Sequence, residues 1–391
     1  MKPSEPDSAA GRIVTGLALG VVGLTAAAAL AAGSLAVLMA RTVVTPPRRA
    51  DEDLRVLDVT EATVTLSATR DSLTPGQYSL WFDGGRGHAR IGEIVELTDA
   101  SVTRVLIAVD FGDLRRGIRA RFSGWFYLSP RELGFAFEDV AIETDLGDAP
   151  AWLVPAAEPD GRWVIQVHGR GVRRQETLRA VPVFHDAGYT ALLVSYRNDG
   201  DAPASGDNRY ALGDLEWHDV DAAIGYAVDH GATDIVLMGW SMGGATVLQA
   251  ATRSEYADRF RGIVLDSAVI DWRGVLNFQG ALLHVPGFIR RTAIATISRP
   301  WGRYLTGQTL PIDLDRLDFV TRAGDLRQPI LLLHSDDDGY VPADAARALA
   351  TARPDLVDFH AFTTARHAKL WNYDAGRWNA AIATWLATIT S

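Results

Sequence analysis

The chain has 391 residues, 48% of them apolar and 22% charged, a balance that fits a full core in one large domain with a smaller unit beside it. Its formal net charge of -10 argues against nucleic acid as the main partner. It has no cysteine, which excludes thiol catalysis, thiolate metal sites and disulfides while selecting no compartment.

Residues 1–12 read as a tail. From Ile13 to Ala40 no residue is charged, and Arg12 and Arg41 bracket the run. As a helix it would measure roughly 42 Å at 1.5 Å per residue, against a hydrocarbon core of about 30 Å. The expectation is a retained transmembrane helix over 13–40 and a single-pass place in the cell membrane. The competing reading is a cleaved signal peptide, whose apolar region spans only ~7–15 residues after a basic start. Here the tail carries Glu5 and Asp7 beside Lys2 and Arg12. Arginines on both sides leave the side of the C-terminal part open. Residues 41–54, with Thr45-Pro-Pro-Arg-Arg and Asp51-Glu-Asp, read as a short stiff linker.

Between 55 and 135, Val59–Leu66, Tyr78–Phe82, Ile91–Val95 and Val102–Val109 are strand-like, with turn signals at Pro75-Gly76, Asp83-Gly-Gly85 and Phe111-Gly112-Asp113. They predict a small β-rich unit. It shows no nucleophile–base arrangement, its His88 reads as a loop residue, and its expected part is packing or gating.

From about residue 136 to the end, strands alternate with helices, which implies a mostly parallel sheet. Val140–Thr144 and Ala151–Val154 open it as a hairpin. Trp163–Val167 is a strand running into His168-Gly-Arg-Gly171, followed by a helix over Glu176–Ala187. Next come a strand, Thr190–Ser195, and a helix, Leu215–His230. Ile235–Met238 is a buried strand, and an alanine-rich helix follows to Ala251. Gly239-Trp-Ser-Met-Gly243 joins them and fits G-x-S-x-G. A strand reversing straight into a helix strains its middle residue and leaves no room for side chains at Gly239 or Gly243, so the Ser241 hydroxyl is presented above the sheet edge. After the strand Gly262–Leu265, the stretch from Asp271 to Pro311 interrupts the alternation and is the expected lid. It mixes large apolar residues with five arginines. The pattern closes with the strand Ile330–Leu333, the run His334-Ser-Asp-Asp-Asp-Gly-Tyr-Val-Pro342, a helix over Ala343–Ala352, the strand Val357–Phe362 and a helix over Ala375–Ile389.

In this order, His168-Gly-Arg-Gly171, Gly239-Trp-Ser-Met-Gly-Gly244, Asp338-Gly-Tyr-Val-Pro342 and Ala365-Arg-His367 give the chain a resemblance to the α/β-hydrolases, near their bacterial esterase and prolyl-oligopeptidase-like branch, over roughly residues 138–391. The resemblance implies a serine hydrolase that cleaves a small-molecule or lipid-like carboxylic ester through an acyl-enzyme. A serine peptidase and a catalytically silent binding protein of the same fold are the alternatives. Serine needs a neighbouring base, and His367, after the last strand, fits; His360 lies within a strand and His334 reads as packing. The family pattern selects Asp338, rather than Asp336 or Asp337, to orient the imidazole, with Ser335 standing where glycine is usual. Amides of Met242 and Arg170 are the expected donors to the oxyanion. The Arg170 side chain, with Arg173 and Arg174, is left to a basic face or to an anionic substrate group. Neither glycine loop has a dinucleotide or P-loop spacing, and the aspartates lack a calcium-loop spacing, so no cofactor or metal is expected. With all the chemistry after residue 135, removing residues 1–49 is expected to leave the triad geometry unchanged.

Overall fold

The computed structural model of the chain describes residues 29–47 and 51–389. It begins with a helix over 29–44 (α1). Ala36, Ala40 and Val44, four residues apart, are buried, while Leu30 and Leu38 are exposed; that is the spacing of an amphipathic helix. Ala32, Ala36 and Met39 pack on Val285, Ile289 and Ala293, and Ala40 and Val44 enter the main core. The expected membrane span therefore divides. Residues 13–28 lie outside the described residues, and among those described no helix is long and apolar enough to cross a membrane. The expected linker starts late as well, because α1 runs to residue 44.

Six antiparallel strands follow: β1 (Leu54–Val59), β2 (Thr63–Ser67), β3 (Tyr78–Phe82), β4 (Gly87–Leu97), β5 (Ser101–Phe111) and β6 (Arg119–Ser123). They close into a barrel in the order β1-β2-β5-β4-β3-β6. Alternate side chains, among them Leu54, Val56, Leu80 and Ile91, fill its interior, as a period of two requires. Closure leaves no free strand edge. The single strand expected over Val59–Leu66 is two strands, because the Thr60 hydroxyl accepts the amides of Ala62 and Thr63 and turns the chain. His88 is not a loop residue but a buried member of β4, with Nδ1 2.8 Å from Asp110 and Nε2 3.4 Å from the Trp125 carbonyl. On β5, buried Arg104 donates to the carbonyls of Ser72, Thr74, Gly76 and Gly92 at 2.8–3.0 Å. Burial pulls its pKa down to about 10, and four carbonyl acceptors make the burial tolerable. The loop carrying Asp71 is thereby fixed.

The α/β part is built on eight strands: β7 (Glu138–Thr144), β8 (Gly147–Val154), β9 (Arg162–Val167), β10 (Thr190–Val194), β11 (Asp234–Trp240), β12 (Phe260–Asp266), β13 (Ile330–Ser335) and β14 (Val357–Phe362). Their order is β14-β13-β12-β11-β9-β10-β8-β7. The β7–β8 and β8–β10 pairs are antiparallel and the others parallel. The central strands are mostly apolar, with Gln166 buried in β9 as an exception, because helices cover both faces. One face holds α3 (Trp217–Asp229) and α4 (Met242–Arg253); the other holds α2 (Val181–Asp186) and α10 (Ala375–Ile389). Helix α2 is short because residues 174–180 wind as a 3-10 turn before it and Pro182 stands at its start, where a missing N–H costs nothing. The interrupting stretch carries α5 (Trp272–Leu282), α6 (Gly287–Ser298) and α7 (Arg303–Thr306). Near the C-terminus, α8 (Asp344–Ala352) precedes β14 and α9 (Leu370–Tyr373) precedes α10.

Candidate active site

Ser241 stands between β11 and α4 with φ +50° and ψ -118°, a conformation that costs a β-carbon-bearing residue free energy and persists only when its surroundings enforce it. A β-carbon on Gly239 would sit 2.4 Å from the Gly243 carbonyl oxygen, and one on Gly243 would sit 2.3 Å from that of Val167. The two glycines thus let β11, α4 and the end of β9 close on one another. The Ser241 amide donates to the Asp266 carbonyl at 3.1 Å, which fixes the turn from β12.

The loop after β14 brings His367 to this serine, with Nε2 2.9 Å from the Ser241 hydroxyl oxygen. Its Nδ1 lies 2.7 Å from Asp338 Oδ2. Asp338 sits in the loop after β13, and its other oxygen accepts the amides of Tyr340 and Val341 at 2.8 and 2.9 Å. An ionised carboxylate only accepts, so Nδ1 carries the proton and Nε2 is left to accept from serine. Burial would raise the Asp338 pKa, but the charge and hydrogen bond of His367 lower it below the usual carboxylate value. Burial would lower the His367 pKa, but Asp338, helped by Glu176, holds it above the ordinary 6.5. Asp336 pairs with Arg347 and Asp337 with Arg366, so neither competes for the imidazole. His334 Nε2 donates to the Val341 carbonyl, 2.9 Å away, and His360 pairs with Asp358 at the sheet edge.

The loop after β9 closes over Ser241: a β-carbon on Gly169 would come within 3.2 Å of that of the serine. The peptide groups on either side of the Arg170 amide are held. The Gly169 amide donates to Glu176 at 2.8 Å, and its carbonyl accepts the Tyr196 hydroxyl at 2.6 Å. The Gly171 amide donates to Asp199 at 3.1 Å. Because Gly169 N–H is engaged, the next amide, that of Arg170, is the loop's candidate donor. The amide of Met242 begins α4, where no intrahelical acceptor exists. Burial pushes the Glu176 carboxyl up against the pull of Arg179 and the Gly169 amide. It takes Asp199 to about 7, opposed by the Tyr210 and Gly171 bonds. His168 is buried beneath the loop, stacked on Tyr196 with centroids 4.3 Å apart, and burial takes it down to about 4.

Two contacts correct the sequence reading. The Arg170 side chain, half-buried, is engaged by the chain itself: its guanidinium donates to the carbonyls of Val43, Thr42 and Thr45 at 3.1, 2.7 and 3.0 Å, and it lies 4.9 Å over the Tyr210 ring. The orphan carbonyls at the end of α1 are capped by the residue whose amide is the candidate oxyanion donor. Residues 1–49 are therefore not independent of the site. Arg173 and Arg174 are engaged as well, at Asp201 and Ser195.

The second contact comes from the barrel. Asp71 meets Arg366 at 2.9 Å and Lys369 at 2.8 Å, on either side of His367. Asn372 adds hydrogen bonds to Gln77 and Gly124. Neither tie was visible in the sequence, where Asp71 falls in an unremarkable turn. From the sequence, Glu176, seven residues beyond the first loop glycine, reads only as the start of a helix.

Comparison with known proteins agrees with this architecture. A family model described as the prolyl oligopeptidase family matches residues 178–391. One described as a domain of unknown function (DUF8805) matches residues 55–123, the barrel. No curated protein matches. Among solved structures, the Pyrococcus furiosus esterase Pf2001 is similar in two crystal forms, each with a TM-score of 0.52. Identity is 17% and 16%, over 67% of this chain and 94% and 96% of that one. An esterase, RhEst1, from Rhodococcus sp. ECU1013 is 19% identical over 65% of this chain and 99% of that one, at a TM-score of 0.46. At such identities the likeness to Pf2001 speaks for the α/β-hydrolase fold alone.

Proposed function

The chain belongs to the prolyl oligopeptidase family and is a hydrolase of the α/β-hydrolase type, and from that premise we propose that it cleaves carboxylic esters with Ser241 as nucleophile, His367 as base and Asp338 as the orienting acid. The observation that carries the reading is the unbroken line from the Ser241 hydroxyl to His367 at 2.9 Å and on to Asp338 at 2.7 Å. In the proposed reaction Nε2 takes the hydroxyl proton as the serine oxygen attacks the acyl carbon. The amides of Met242 and Arg170 stabilise the developing oxyanion. The imidazolium returns its proton to the leaving alkoxide, which departs as an alcohol. Water, deprotonated by His367, then attacks the acyl-serine, and the acid leaves with the serine hydroxyl restored.

Fluorophosphonate labelling tests the nucleophile: Ser241→Ala should lose both labelling and turnover while keeping its fold by circular dichroism. A variant that still labels as wild type does would refute the assignment, and a wild-type chain that never labels would support the silent binding protein. The family match favours a peptidase as the second reading, since the same acyl-enzyme route opens amides. A matched panel of esters and amides separates the two.

The uncharged run supports a further part of the reading, attachment to a membrane. Ahead of Ala32, the first residue of α1 docked on the lid, residues 13–31 carry no charge. As a helix they would measure about 28 Å, close to the ~30 Å hydrocarbon core. Fractionation with carbonate washing, beside N-terminal sequencing, tests it; release into the soluble fraction would refute it.

A further inference from the structure

The stretch from Trp272 to Pro311 contains five arginines and no acidic residue, in a chain whose net charge is -10. Arg273 is paired with Asp315. Arg291, Arg299 and Arg303 are exposed, and among the described residues none of these three forms an ion pair; Arg303 instead lies over the ring of Tyr304. Large apolar side chains stand among them without cover: Leu283 is 71% exposed, Phe288 56%, Trp301 49% and Tyr304 76%. The patch continues onto α1, which is packed against α6 and donates from Arg41 to the Leu305 carbonyl at 2.5 Å. Leu35 and Leu38 on α1 are likewise exposed. In the sequence, the uncharged run of residues 13–28 leads directly into the residues of α1.

Exposed aromatic and aliphatic groups interleaved with unpaired arginines fit one kind of surface, an anionic lipid headgroup layer over acyl chains. A second copy of this acidic chain would supply carboxylates, but it gives no reason for a long uncharged run to precede α1 in the sequence. We infer that the lid and α1 together rest on an anionic bilayer. The surface borders the candidate site. Gln279 of α5 donates to the carbonyls of Gly339 and Tyr340 at 3.1 and 2.7 Å, and the Tyr340 ring stacks on His367 with centroids 5.4 Å apart. The inference rests on the ester-hydrolase reading only for what the surface delivers, an ester drawn from the lipid layer.

Tryptophan fluorescence tests it in the full chain, because residues 1–80 contain no tryptophan and a membrane-inserted N-terminus contributes no signal. The chain is mixed with vesicles of brominated phosphatidylglycerol or of brominated phosphatidylcholine. Quenching should be greater with phosphatidylglycerol, most of it should vanish in Trp301→Phe, and the triple variant Arg291→Glu, Arg299→Glu, Arg303→Glu should lose the preference for the anionic lipid. Hydrolysis of a short soluble ester should remain at the wild-type rate in both variants, which shows that they fold and keeps this test separate from that of the triad. Equal quenching in Trp301→Phe and wild type, no lipid preference, or self-association without quenching would each overturn the bilayer surface.

Discussion

Asp71 of the barrel grips the segment around His367 through Arg366 and Lys369. At the other side of the serine, Arg170 grips α1 through three backbone carbonyls. Both regions lie outside the α/β sheet, and both reach the same few ångströms of chemistry, but with different forces. The barrel's tie is ionic and extends to the acid loop, since Arg366 also donates to the Asp337 carbonyl at 2.8 Å. On the proposed reading it sets how His367, as base, meets Asp338, as acid. The α1 tie is a helix C-cap, a cation against the negative end of a helix dipole, and on the proposed reading it orients the loop that offers the oxyanion donor. Breaking the first should therefore change pH dependence, and breaking the second should change turnover without moving the pH profile.

The scale for both is set by the acid itself. Asp338→Asn should lower kcat by about 10⁴-fold, because an imidazole without its carboxylate loses the working tautomer. Asp336→Asn and Asp337→Asn should cost far less, as their partners are Arg347 and Arg366. Equal losses at all three positions in a steady-state assay would show that loop order, not one carboxylate, matters.

Arg170→Ala keeps the backbone amide but uncaps α1. Its expected loss in kcat is about 10- to 10²-fold, below the 10²- to 10³-fold cost of losing an oxyanion donor outright. KM and the acidic limb of the pH profile should stay in place. Arg170→Lys should not rescue it, since a single ammonium cannot reproduce a planar fork shared among three carbonyls. Removing residues 1–47 should cost at least as much as Arg170→Ala, since it also takes Ala40 and Val44 out of the core, and Arg170→Ala should add nothing to the truncation, in which its acceptors are already gone. Additive losses would separate the helix from the loop.

Activity requires neutral His367, whose pKa is raised, so kcat/KM should climb with pH through an apparent value above 6.5. In Asp71→Asn the cations Arg366 and Lys369 lose their counter-charge. Lys369 already opposes protonation of His367; left unpaired, it should move the acidic limb to lower pH, with a loss of a few-fold at the optimum. A limb that stays in place would mean that the barrel's contact is packing alone.

What the sequence makes legible is local. Ser241, Asp338 and His367 each follow directly from a strand end, so motif and strand pattern together locate them. The two ties join residues far apart in the chain: Asp71 and Arg366 are 295 positions apart, and Arg170 and Thr42 are 128 apart. No periodicity links such pairs, and an arginine in a glycine loop looks solvated until its acceptors are known. His88 was misread for a related reason. Its neighbour Gly87 marks close packing, not a loop, since a β-carbon there would meet the Phe82 ring at 2.0 Å. The break between β1 and β2 depends on one threonine hydroxyl, too small a signal to interrupt a run of β-prone residues.

The smallest effect expected concerns stability. Burial would raise the Asp71 pKa, but Lys369 and Arg366 outweigh it and leave it below 3.8. A carboxyl lowered in the folded state stabilises the fold at pH above its unfolded value and loses that contribution as pH falls through the folded one. At pH 7, Asp71→Asn should thus melt below wild type by no more than about 2–3 °C, because an ion pair that still reaches solvent contributes on the order of 1 kcal/mol or less. The difference should narrow below pH 4 and close where Asp71 is protonated in both states. High salt at pH 7 should also shrink it, whereas the α1 cap, in which Arg170 meets neutral carbonyls and not a carboxylate, should be less sensitive. Calorimetric melts of both variants across pH and salt make the comparison. A deficit that persists at low pH would show that the barrel is held to the His367 loop by shape, with the Asn372 contacts carrying the joint and the charges incidental to it.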